Sequence, residues 1–157
     1  MADERMDTFM RAFTRAVDSG KLAKATTMLR ADRFQLYADL DGDALIGVVK
    51  SQNDPGLVYS CRLTKDGDFA CCTQNLNACG GLRGSLCKHL LVLVVGLVKA
   101  GTLDADTALA WARASKSKRP VLDKDRMSTT FVKHKGAEAG EVDWRPTETL
   151  PEDFYAY

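Results

Sequence analysis

All five cysteines of this 157-residue chain fall between Cys61 and Cys87, and His89, one of only two histidines, follows at once. The run Cys72-Thr-Gln-Asn-Leu-Asn-Ala-Cys79-Gly-Gly-Leu-Arg-Gly-Ser-Leu-Cys87-Lys-His89 ends in a Cys-x-His pair that leads directly into the most apolar stretch, Leu90 to Val98. Thiolate sulfur and imidazole nitrogen are the ligands Zn2+ prefers, four at a time in a tetrahedron. A zinc site is therefore the first expectation. It would tie whatever precedes Cys72, the glycine-rich loop after Cys79 and the start of an apolar helix to one point.

Composition limits the alternatives. The chain is long enough for one domain with a real core. Its formal net charge of +1 supplies no global basic field that would demand nucleic acid. The opening Met-Ala-Asp-Glu-Arg-Met-Asp has no apolar signal-like region, and Leu90–Val98 is far shorter than the roughly 20 residues of a membrane span. The expectation is a cytoplasmic protein with no membrane association. In a reducing compartment, clustered cysteines serve as metal ligands or redox groups more often than as disulfides.

Hydrophobic spacing predicts the elements. Met6, Met10, Phe13 and Val17 recur at helical spacing, and Lys21 to Leu29 reads as a second short helix. The period then changes to two. Strands are expected over Phe34–Leu40, Ala44–Lys50, Leu57–Leu63 and Phe69–Cys72, with turns at Asp41-Gly42, Asn53-Asp54-Pro55-Gly56 and Asp66-Gly67. Four short strands in succession suggest an antiparallel meander. Cys79 to Leu86 is an irregular loop, and His89 to Ala100 is a helix stopped by Gly101, apolar nearly all round and so central and buried. Asp104 can cap one more helix, anchored by Trp111. The prediction is an α+β fold: N-terminal helix, four-stranded antiparallel meander with a zinc-anchored central helix, then a C-terminal helix and an irregular tail. One domain is expected over residues 1–137, followed by an acidic, aromatic tail over 138–157.

The ligands follow from the last hairpin. A two-residue loop at Asp66-Gly67 sets Leu63 opposite Ala70 and Cys61 opposite Cys72. Tyr59, Cys61, Leu63, Ala70 and Cys72 then share the face that receives the central helix, because side chains alternate along a strand. The expected ligands are Cys72, Cys79, Cys87 and His89, with Cys71 as the alternative, since a one-residue slip exchanges the two. Cys61 reads as core filler. A redox role is the competing use of the vicinal Cys71-Cys72 pair, although no Cys-x-x-Cys spacing is present.

Cys87-Lys88-His89-Leu90-Leu91 followed by an apolar helix, with a strand–turn–strand before it, resembles the SWIM-type zinc finger over about residues 57–100. That family's pattern is Cys-x-Cys, a spacer, then Cys-x-His. The first half departs from it: Cys71 and Cys72 are adjacent, and Asn77 stands two residues before Cys79, where a first cysteine would be. The resemblance implies zinc binding at Cys87 and His89, extending to Cys79 and Cys72. It also implies a module that binds proteins or DNA. Some bacterial versions belong to multi-component systems built around AAA+ ATPases.

Two functions follow as expectations. The first is a protein-interaction adaptor, in which Trp144, Phe154 and Tyr155 of the acidic tail offer aromatic anchors to a partner. The second is DNA binding through the basic segment 113–135, with Lys116, Lys118 and Arg119 as phosphate contacts. Neither an enzyme nor a small-molecule substrate is expected, because four soft ligands close a zinc tetrahedron and no carboxylate lies between Phe69 and His89.

Overall fold

The computed structural model describes residues 2–82 and 85–143. Two helices, α1 (Ala2–Ala16) and α2 (Ser19–Ala31), precede four strands: β1 (Gln35–Asp41), β2 (Ala44–Lys50), β3 (Val58–Thr64) and β4 (Phe69–Thr73). A short 3-10 turn (Gly80–Leu82) leads to α3 (Lys88–Lys99), α4 (Ala105–Ser115) and α5 (Lys124–Asp143). The strands form one antiparallel sheet in the order β1-β2-β3-β4, which is the meander the sequence predicts. Among the described residues no helix is long and apolar enough to cross a membrane.

Local chemistry explains the helix ends. The Asp18 carboxylate accepts from the Lys21 backbone N–H at 2.8 Å to open α2, and Asp104 accepts from Thr107 at 3.2 Å to open α4. Helix α3 is buried over Leu90–Val95, and its neighbours are α2, α4 and strands β1, β2 and β3. Gly47 of β2 lets it come close: a Cβ there would stand 2.6 Å from a methyl of Leu93. Helix α1 adds the stacked pair Phe9 and Phe13, whose ring centroids lie 4.9 Å apart.

The second face of the sheet is also covered, which the sequence reading did not anticipate. Helix α5 lies along β2 and β3, and its Met127 packs with Ala70 and Cys72 of β4. The buried Ser60 hydroxyl donates to the Met127 carbonyl at 2.9 Å. The expected irregular tail from residue 138 is helical as far as Asp143. The partner anchors Trp144, Phe154 and Tyr155 lie outside the described residues.

The β3–β4 register corrects the predicted one. Leu63 pairs with Phe69, and Cys61 with Cys71. The turn holds three residues, Lys65-Asp66-Gly67, not two. Gly67 takes φ +90°, its N–H bonds back to the Thr64 carbonyl at 2.9 Å, and Thr64 N–H reaches the Asp68 carbonyl at 2.9 Å. One additional loop residue shifts the pairing by one and reverses which face each β4 side chain takes.

Candidate metal centre

Cys71 sits on β4 on the face toward α3. Beyond Thr73 the chain reverses through a tight turn in which Leu76 takes φ +63° and its N–H bonds to the Thr73 carbonyl at 2.8 Å. The returning segment pairs back on β4: Cys72 bridges Ala78, and the Cys79 N–H donates to the Cys71 carbonyl at 2.9 Å. This small hook delivers Cys79 beside Cys71. Cys87 is the N-cap residue of α3, yet its side chain makes no capping bond at the helix start. His89, in the first turn of the same helix, points into the same space.

The Sγ atoms of Cys71, Cys79 and Cys87 and one ring nitrogen of His89 all lie within 4.8 Å of one another. His89 Nδ1 is 3.5 Å from Cys79 Sγ and 3.8 Å from Cys71 Sγ. In a tetrahedral site with bonds of about 2.0–2.3 Å, ligand atoms stand about 3.5–3.8 Å apart. These four side chains are therefore close enough to bind one metal ion. Cys71, Cys87 and His89 are buried, whereas Cys79 is half-buried.

Cys72, the expected fourth ligand, is on the opposite face of β4, in the small cluster with Ala70 and Met127. Its place is taken by Cys71, the alternative. The cause is the three-residue turn just described. Cys61 is fully buried across from Cys71, with the two sulfurs 3.6 Å apart.

The electrostatics describe a pocket that holds one thiolate without a metal. Hydrogen bonds from Cys71 and Cys87, with a further contribution from His89, keep Cys79 well below the ordinary thiol range. Burial pushes Cys71 and Cys87 well above it, so both stay protonated at neutral pH. Burial raises Cys72 to about 11, which leaves it an inert thiol.

Three supporting groups were not singled out from the sequence. The Tyr59 ring stacks on His89 with centroids 3.9 Å apart and planes 17° from parallel, fixing the imidazole. Tyr59 sits on the Cys61 side of β3, so the period-two pattern carried that signal. Lys21 of α2 ties down the glycine loop, with its ammonium donating to the Gly81 carbonyl at 2.7 Å and the Ser85 hydroxyl at 2.8 Å. Gly81 is the third: a Cβ there would meet the Cys87 Cβ at 3.2 Å. No local pattern marks Lys21, since its partners are some 60 positions away in sequence.

The candidate phosphate-binding residues are dispersed in role. Lys116 ends α4, Lys118 pairs with Asp68 at 3.6 Å, and Arg119 borders a groove beside Cys79. Further along the basic segment, Arg126 pairs with Asp123 and Lys133 with Asp41. No protein-family model matches the chain, and comparisons with curated proteins and with solved structures found no match.

Proposed function

We propose that this chain is a zinc-binding, SWIM-like module whose metal is structural and whose role is that of a protein-interaction adaptor. One observation carries the reading: three sulfurs and an imidazole nitrogen from β4, the hook and the α3 start converge within 4.8 Å. Soft thiolates with one imidazole favour Zn2+ over hard cations, and four protein ligands leave no open position for a substrate or an activated water. Zinc would join the hook and the start of α3 to the sheet, so its binding free energy would also be folding free energy.

Adaptor function is preferred over DNA binding because Lys118, Arg126 and Lys133 each have an aspartate partner. A net charge of +1 favours the same choice. The resemblance names the partner class: a multi-component system containing an AAA+ ATPase. Elemental analysis of protein purified without added metal should give about one zinc per chain, set by a single four-ligand site. Affinity purification from the native host should then recover protein partners that are lost after chelation. A zinc-free protein whose thermal midpoint ignores chelators would refute the metal reading. Tight duplex binding at physiological salt would replace the adaptor with a DNA-binding module.

A further inference from the structure

The fifth cysteine is outside the ligand group, yet it is next to it. Cys61 and Cys71 are direct cross-strand partners on β3 and β4, both fully buried, and their sulfurs are 3.6 Å apart. The hydrogen bonds define the kind of pair. The Cys71 carbonyl is turned away from β3 and accepts from Cys79, and the Phe69 carbonyl likewise accepts from Val121. Cys61 and Cys71 are therefore a non-hydrogen-bonded pair, the type in which facing side chains stand closest. Strand partners at this spacing fall within the Cα separation a disulfide bridges without backbone movement. Cys71 also has Cys61 on one side and Cys79 on the other.

We propose that Cys61 and Cys71 form a cross-strand disulfide under peroxide, a modification site in which Cys61 competes with the metal for the Cys71 sulfur. The proposal rests on the zinc reading for its consequence, release of the ion, but the disulfide itself stands on the strand geometry alone. The way in is a groove of about 560 Å3 lined by Cys71 and Cys79 together with Ala78, Leu82, Pro120 and Leu122. Hydrogen peroxide transfers one oxygen to the half-buried Cys79 sulfur, which lines the groove, giving a sulfenic acid and water. The Cys71 thiol condenses with that sulfur, losing water, and forms a Cys71–Cys79 disulfide. Cys61 then attacks Cys71 from the far side and expels the Cys79 thiolate, losing its own proton. The sum is two thiols and one peroxide converted to one disulfide and two waters. A metal held in the site would lose Cys71 and keep Cys79, Cys87 and His89. Cys61 is the resolving thiol, and a dithiol reductant restores the site.

Zinc-loaded wild-type protein is treated with hydrogen peroxide, and zinc release is followed with a chromogenic chelator. The disulfide is mapped by mass spectrometry of non-reduced peptides. The expected results are a Cys61–Cys71 linkage, loss of zinc, and rebinding after dithiothreitol. Cys61→Ser keeps a donor to Cys71 and the resting zinc. With no resolving thiol, its oxidation should stop at the Cys71–Cys79 disulfide, so that linkage should build up on the order of tenfold above wild type. A map showing only Cys71–Cys79 or Cys79–Cys87 linkages in wild type would overturn the proposal, as would a Cys71–Cys79 yield in Cys61→Ser no higher than in wild type. Mapping uses the wild-type chain, so it decides the matter even where a variant does not fold. A wild-type protein that never held zinc but still forms the Cys61–Cys71 linkage would refute the metal reading and leave the disulfide standing.

Discussion

The two hairpin glycines offer a measurement of how tightly the β3–β4 turn is held. Both have positive φ: Gly42 at +62° and Gly67 at +90°. A Cβ on Gly42 would meet nothing within 4 Å. One on Gly67 would press on the C-terminal backbone of α4, 2.5 Å from the Ala114 carbonyl oxygen and 2.6 Å from the Ser115 nitrogen. Alanine at either position pays the left-handed backbone term of about 1–2 kcal/mol. Each also gains up to about 1 kcal/mol from a less flexible unfolded chain. These terms are common to both sites. Gly67→Ala alone adds crowding against backbone, which cannot rotate away, at about 1–3 kcal/mol. The expectation is about 1 kcal/mol lost for Gly42→Ala and about 2–4 kcal/mol for Gly67→Ala. Urea unfolding at fixed free zinc should resolve the difference as a midpoint shift of about 1 M between the variants. Because the Gly67 turn sets the register that turns Cys71 toward α3, Gly67→Ala should also weaken zinc binding, while Gly42→Ala leaves it unchanged. Equal losses of stability would refute the argument that the turn is wedged against α4.

Zinc affinity should rise steeply with pH. Cys71 and Cys87 are pushed up by burial and stay protonated at neutral pH, so binding must expel about two protons. Affinity is weakest in acid and gains about two orders of magnitude per pH unit near neutrality, measured by competition with a calibrated chelator. Tyr59→Phe keeps the ring on His89 and should retain full affinity, whereas Tyr59→Leu should lose about 1 kcal/mol of zinc binding. In metal-free protein, iodoacetamide should label the half-buried, low-pKa Cys79 first and the buried Cys72 very slowly, as read by peptide mass spectrometry.

The sequence makes the meander and the buried central helix legible because each rests on a local signal. Gly42 and Gly67 mark turns, strand patterns have period two, and Leu90–Val98 is apolar on every side. The register after Gly67 was not legible. Asp-Gly suits a two-residue type I′ loop, but with Lys65 before it the same pair also suits a three-residue loop that ends on a left-handed Gly67, which is the one found. That single residue exchanged Cys72 for Cys71. Helix α5 was hidden by its polarity, since among its described residues Met127 and Thr130 are the buried ones, and Met127 follows Lys124, Asp125 and Arg126 directly. A signal for it existed elsewhere. Strand β2 is apolar at Ala44, Ile46 and Val48 as well as at Leu45 and Val49, and a strand buried on both faces needs a layer on each side. The Cys-x-His end of the site was readable because Cys87 and His89 are fixed by one helix start. Cys79 was readable from its spacing, but the hook that turns it back onto β4 depends on Leu76 at positive φ, which no residue type announces.

The central claim is that one metal is held by Cys71, Cys79, Cys87 and His89, and cobalt substitution tests it most directly. Thiolate-to-cobalt charge-transfer absorption reports how many sulfurs bind, and the ligand-field bands report tetrahedral geometry. Wild-type protein and Cys72→Ser should give the same intense tetrahedral spectrum, because Cys72 faces Met127 and not the site. Cys71→Ser should lose part of the charge-transfer intensity and bind cobalt far more weakly. An unchanged spectrum in Cys71→Ser together with a diminished one in Cys72→Ser would contradict both the β3–β4 register and the assigned centre.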